Sequence, residues 1–227
     1  TIRSIAGYLI RRYFYPSSIF IDESFFYFNQ SKKSNNISKH QIFQKNEFIP
    51  LRLISLTQKA LFELVIHIES LYVFVMKTFL QKNTNEIQNE IFFCENCSHQ
   101  ELTHFYGFLK AENSDQIIGC IYEFMSNGSL KQIVKRNPEE VSELFALKTI
   151  YLMIDGIEYL HSHEFIHGDL NTSNILINHN FVPYISDFDS VCQITKKVNQ
   201  MINGSILYSS PEQDYDGIVS YPTDIYS

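Results

Sequence analysis

Beyond residue 47 the chain alternates short apolar runs with polar breaks, then changes after Gly128 to longer helical periods. Residues 51–56, 61–66 and 71–76 have the length and the β-branched or aromatic content of strands. From 83 to 94 the pattern turns helical, with Ile87, Ile91 and Cys94 at i, i+4 and i+7 and Asn83 and Glu86 spaced as a capping box. Residues 103–109 and 117–124 read as two further strands. Leu147, Ile150, Ile154 and Ile157 form the stripe of one long amphipathic helix that ends near His161. Residues 175–177 and 182–185, joined by Asn178, His179 and Asn180, read as a small hairpin. A β-rich half followed by a helical half predicts an α+β fold in two lobes. Residues 1–47 hold candidates for short strands at 13–15 and 19–21 and a polar loop at 31–36, but no sustained period; this extension is left unassigned.

Composition narrows the class. The chain has 227 residues, 44% hydrophobic and 19% charged, which suits a packed core and argues against global disorder. A net charge of −7 argues against a nucleic-acid surface. Residues 60–80, the most apolar window, contain Glu63, His67, Glu69 and Lys77, too many ionisable groups for a bilayer helix. Cys94 and Cys97, with His99 and His104 after them, have neither the loop of a zinc finger nor the adjacent His of a haem attachment site. The four cysteines therefore read as ordinary reduced thiols of a cytoplasmic, intracellular protein.

The chemistry concentrates at 167–174, HGDLNTSN, and at Asp187-Phe188-Asp189, which begins thirteen residues after Asn174. An Asp and an Asn five residues apart, with an acid beyond a hairpin, supply one proton acceptor and two hard oxygen ligands. These segments resemble the catalytic loop (HRDLKxxN) and metal-binding motif (DFG) of protein kinases. The resemblance runs from residue 51 to 227 and implies a two-lobed fold, with an N-lobe at 48–122, a hinge at 123–127 and a C-lobe from 128. Because the family's C-lobe continues past the counterpart of Ser227, it also implies an incomplete C-lobe here. It implies Asp169 as catalytic base and Asn174 and Asp187 as magnesium ligands. Val73 to Lys77 resembles the VAIK strand, which makes Lys77 the cation on the ATP phosphates and Glu90 its partner. Ser98 to Phe108 resembles the HxNIVxFYG stretch. Residues 121–125 resemble the hinge, where Glu123 and Met125 would meet adenine through their backbones, with Tyr122 behind and Val75 and Leu176 on either side. Residues 204–212 resemble the GTxxYxAPE end of an activation segment, and Asp224 the buried acid that anchors the catalytic loop. The implied activity is transfer of the γ-phosphate of ATP to Ser or Thr of a protein substrate.

The pattern is also broken in places. Ser55, Thr57 and Ala60 stand at the three glycines of the phosphate loop, and Phe62 stands at its Val. Gly168 replaces the Arg of HRD, Asn171 the loop Lys, and Asp189 the Gly of DFG, where it is expected to add charge beside Asp187. These changes open a second reading, a pseudokinase that binds or scaffolds without phosphotransfer, or an inactive fragment.

Overall fold

The computed structural model describes residues 41–81, 84–136, 138–194, 207–217 and 219–227. The expected strands and loop before residue 37, Asn83, and the segment 204–206 with Ser205 lie outside these residues.

Six strands form the β-rich lobe: β1 (Gln41–Gln44), β2 (Phe48–Leu56), β3 (Ala60–His67), β4 (Val73–Phe79), β5 (Phe105–Lys110) and β6 (Ile117–Glu123). Their order across the sheet is β1-β5-β6-β4-β3-β2. Every neighbour pair is antiparallel except β1 with β5. The sheet thus reaches back to Gln41, into the segment without a sequence period. Gly107 permits that pairing, because a Cβ there would sit 2.0 Å from the Gln41 carbonyl oxygen. The strand expected at 71–76 starts instead at Val73, since Leu71 turns the chain with φ +60°.

Helix α1 (Asn85–Asn96) lies between β4 and β5 and turns Ile87, Glu90, Phe93 and Cys94 inward. Its N-cap is Thr84, whose hydroxyl accepts from the Ile87 N–H at 3.3 Å, so Asn83 is not the cap; such a cap contributes about 1 kcal/mol. After β7 (Gly128–Ser129) come α2 (Leu130–Arg136) and the 20-residue α3 (Glu143–Ser162), capped by Ser142. The expected stripe of α3 holds at Ile157, which packs against the core, and is corrected at its other three positions. Leu147, Ile150 and Ile154 are 64%, 56% and 58% exposed, and Thr149, Met153, Gly156 and Leu160 face the interior. The helix is apolar on two adjacent faces, and close packing chooses between them. A Cβ at Gly156 would lie 2.8 Å from Ile185 Cδ1, so only this face lets the helix sit against the following hairpin.

That hairpin is β9 (Ile175–Ile177) with β10 (Pro183–Ile185), and β7 extends it to three strands. β8 (Phe165–Ile166) pairs with β11 (Cys192–Gln193), and α4 (Pro211–Asp216) and α5 (Tyr221–Tyr226) follow. A pair of backbone hydrogen bonds is among the direct ties between the two halves. The Ile185 N–H donates to the Glu101 carbonyl, and the Thr103 N–H to that of Ile185, each at 2.8 Å. The observed architecture is a β-rich lobe followed by a helical one. No helix among the described residues is long and apolar enough to cross a membrane.

Candidate active site

Between β8 and β9 the chain forms neither helix nor strand, so its polar groups find partners within the loop and in other segments. Asp224, buried on α5, accepts from the His167 N–H at 2.9 Å and the Gly168 N–H at 2.8 Å, and also contacts His161 Nε2 at 2.9 Å. Gly168 adopts φ +77°, a conformation in which a side chain is strained, so glycine suits this bend where the family carries Arg. His167 is fully buried, with Nε2 3.0 Å from the Ser186 carbonyl and Nδ1 accepting from the Asp169 N–H at 3.4 Å. These partners select the tautomer protonated on Nε2. Both carboxylate oxygens of Asp169 are oriented by amides: Asn171 Nδ2 reaches Oδ1 at 3.1 Å, and Asn174 Nδ2 reaches Oδ2 at 3.0 Å. Asn171, at the position of the family's Lys, therefore acts on Asp169 itself.

The β9–β10 hairpin delivers Asp187 beside this loop. The Ser186 N–H and hydroxyl both donate to the Asn174 carbonyl at 2.9 Å, which couples the two segments. Asp187 has φ +64°, a strained backbone for a residue with a side chain. Its Oδ1 is buried without a hydrogen bond and lies 3.7 Å from Lys77 Nζ, beyond hydrogen-bonding reach. Burial raises this carboxyl above its usual range; Lys77 opposes the rise and Asp189 adds to it. With its Nδ2 donating to Asp169, Asn174 has its amide oxygen left to accept or ligate. A strained, orphaned carboxylate next to an amide oxygen fits a hard divalent cation.

Opposite stands Lys77, 2% exposed on β4, with Nζ 2.8 and 2.9 Å from the oxygens of Glu90, itself 1% exposed on α1. Asp189 also accepts from Lys77. The charge of Asp189 acts on Asp187, as expected from the sequence, and its carboxylate also meets the lysine. The Tyr122 hydroxyl donates to Glu90 at 2.8 Å. One ammonium thus faces three carboxylates. Burial pushes Glu90 up to about 7, opposed by Lys77 and reinforced by Asp189. Burial also acts against the charge on Lys77, but its three acidic neighbours hold it well above the ordinary lysine value. Burial likewise disfavours the Asp189 charge, yet Lys77 holds that carboxyl below its usual range. Burial thus pushes Glu90 further than the lysine it shares with Asp189 pulls it back.

The remaining predicted residues form a roof. Ser55 and Phe62 pair across β2 and β3, and Phe62 is also opposite Lys77 across β3 and β4, its ring 5.4 Å from Nζ. In the turn between β2 and β3, Thr57 Oγ1 accepts from the N–H groups of Lys59 at 3.2 Å and Ala60 at 2.9 Å. Those donors are engaged within the turn instead of pointing at a phosphate. Ala60 is buried, and Val75 pairs with Tyr122 across β4 and β6. Glu123 ends β6, and its N–H donates to the His104 carbonyl. Met125 is buried, with its carbonyl closing a turn to the Gly128 N–H. Leu176 lies on β9 opposite Ser129. The space between Lys59, Ala60, Lys77, Phe79 and Asp189 is about 10 Å³, room for one water at most. A larger cavity of about 310 Å³ lies outside α1, lined by Phe79, Ile87, Ile91 and Ile117. It contains none of the predicted site residues, so side-chain chemistry and not volume locates the site.

Residues 60–227 match the family model of the protein kinase domain. The chain is 33% identical over 155 residues to a PR5-like receptor kinase of Arabidopsis thaliana, covering 64% of this chain and 23% of that protein. It is 31% identical over 173 residues to mitogen-activated protein kinase kinase 3 of the same plant, covering 71% and 32%. To serine/threonine-protein kinase PLK4 of Aedes aegypti it is 25% identical over 144 residues, covering 63% and 18%. The chain thus spans about a third or less of the length of these relatives.

Proposed function

The chain belongs to the protein kinase domain family, and from that premise we propose that it transfers the γ-phosphate of ATP to Ser or Thr hydroxyls of a protein substrate. The observation that carries this reading is the convergence of Asp169, Asn174 and Asp187 at the end of one hairpin, with the buried Lys77–Glu90 pair opposite. Asp169 orients the acceptor hydroxyl and takes its proton as the hydroxyl oxygen bonds to the γ-phosphorus and ADP leaves. Asn174 and Asp187 would hold magnesium, which when bound neutralises phosphate charge. Lys77 would meet the α and β phosphates once Asp189 moves off it, and Glu90 keeps its ammonium aimed. Adenine would lie between Val75 and Leu176, against the backbone of Glu123 and Met125, under the loop of Ser55, Thr57, Ala60 and Phe62. In this reading the unit divides at 123–127, between an N-lobe from 48 and a C-lobe from 128. Four free, buried cysteines suit a reducing, intracellular compartment.

A second reading, a binding module with little phosphotransfer, is favoured by one observation: Asp189 already occupies Lys77. Titration calorimetry with ATP, with and without magnesium, followed by a transfer assay on Ser/Thr peptides, separates the two. Magnesium-dependent binding with transfer is the expected result. Binding without transfer supports the module, and absence of binding even in Asp189→Gly overturns the transferase reading in favour of a scaffold.

A further inference from the structure

A second polar cluster lies away from the cleft, where the segment after α1 crosses α3. His99 Nδ1 and Glu101 Oε2 lie 3.0 Å apart, yet neither atom is in hydrogen-bond geometry with any partner, and both are buried atoms. Glu101 as a residue is 94% buried (6% exposed), so an orphaned carboxylate oxygen there is costly. Asp155, from α3, completes the set, and one ligand atom from each of the three residues lies within 4.8 Å of the others. Two carboxylates and an imidazole thus converge on one point, with His99 Nδ1 and Glu101 Oε2 left without a hydrogen bond among the described residues.

The surroundings hold this arrangement in place. The His99 ring is stacked on Tyr159, with centroids 4.4 Å apart and planes at 17°. Tyr159 follows Asp155 by four residues, so both lie on one face of α3. Gly156 lets Glu101 approach, since a Cβ there would stand 3.2 Å from Glu101 Cβ. The Glu101 backbone is fixed by its carbonyl bond from Ile185. Burial pushes the Glu101 carboxyl up, His99 pulls it down and Asp155 pushes it up again, as befits an acid lacking a full counter-charge.

We propose that His99, Glu101 and Asp155 form a site for a divalent transition metal, zinc in the first instance, that fastens the segment after α1 to α3. An imidazole nitrogen with two carboxylates suits zinc over magnesium or calcium, which prefer all-oxygen shells. Two carboxylates and a neutral imidazole balance the charge of Zn²⁺. Ligands of a tetrahedral zinc are about 3.4 Å apart, close to the spacing of the His99–Glu101 pair. His99 and Asp155 are partly exposed, so the metal has a route in and a fourth position open to water. The cysteines at 94 and 97, with their spacing reminiscent of a metal motif, are not part of this set.

The test uses the whole chain, stripped with EDTA and titrated with Zn²⁺ against a chromophoric chelator. One zinc per chain is expected, with X-ray absorption reporting only nitrogen and oxygen donors at roughly 2.0–2.2 Å. His99→Ala, Glu101→Gln and Asp155→Asn should each weaken binding at least roughly a hundredfold, more than the loss of an outer-shell partner. Asp187→Asn should leave it unchanged, which separates this site from the magnesium site of the cleft. Zinc should raise the melting temperature of the wild type and not of Asp155→Asn, whose partly exposed side chain makes unfolding an unlikely confound. No stoichiometric zinc, zinc that survives all three substitutions, sulfur donors, or loss of zinc in Asp187→Asn overturns the proposal.

Discussion

The floor and the roof of the cleft are built on opposite principles. On the floor the groups of the catalytic loop have dedicated partners, with Asp187 Oδ1 the exception: Asp224 for two backbone N–H groups, His167 for Ser186, Asn171 and Asn174 for Asp169. On the roof, one lysine is shared by Glu90 and Asp189, and the loop above it satisfies its donors internally. A site with one partner per group keeps its geometry whether or not a ligand is present. A site with more acids than cations holds a geometry that a ligand must undo. In the proposed reading, the difference puts the resistance to ATP in the phosphate roof and not in the catalytic loop.

The largest break in this contrast is expected from Asp169→Asn, which should lower phosphotransfer roughly 10²–10⁴-fold while ATP affinity stays within a factor of two or so. Steady-state kinetics beside calorimetry checks both halves; a parallel loss of ATP affinity would mean that Asp169 supports the fold and not the chemistry. Next comes Asp224→Ala, which orphans the buried N–H groups of His167 and Gly168. It should cost about 2–5 kcal/mol in urea unfolding, against little for a surface acid such as Asp115. On the roof, Asp189→Gly should tighten ATP binding about tenfold, because it removes one charge-assisted bond that the phosphates must displace. Equal or weaker binding would show that Asp189 is no obstacle. Glycine at Ser55, Thr57 and Ala60 together should tighten binding by a smaller factor, since freed N–H groups are offset by added loop entropy.

The smallest effect is a pH dependence. Glu90 is raised to about 7 from an ordinary 4.5, so its contribution to stability is complete below 4.5 and is lost as pH rises through 7. Asp189, held below its ordinary 3.8, contributes a constant amount over the same window. Unfolding free energy should therefore fall from pH 5 to 8, and Glu90→Gln should flatten that fall. A slope unchanged by the substitution would show that Glu90 does not carry the dependence.

The floor was readable in the sequence because each role there belongs to one side chain at a fixed short spacing. Asp169, Asn174 and Asp187 lie within one loop and one hairpin, and the hairpin itself was marked by its turn residues. The roof was readable only in part. Residue types showed the missing glycines, but the meeting of Lys77 with Asp189 spans 112 positions and leaves no local trace. The same limit hid the set of His99, Glu101 and Asp155, whose members come from two distant segments. In α3, periodicity found the helix but chose the wrong face, because a sequence with two apolar faces leaves the decision to the shape of its neighbour.

Strand β1 carries a consequence for handling the protein. It covers the β5 edge of the main sheet, and its Phe43 is 3% exposed, packed 5.3 Å from Phe48 and 5.6 Å from His67. Cutting the chain back to residue 60, where the family match begins, would strip β1 and β2 from opposite sides of the sheet. The open edges would then shift to β5 and β3 and bare residues now buried, such as Phe108, Leu64 and Val65, which favours edge-to-edge stacking into aggregates. The stretch that keeps β3 and β5 covered begins before the residues that match the family.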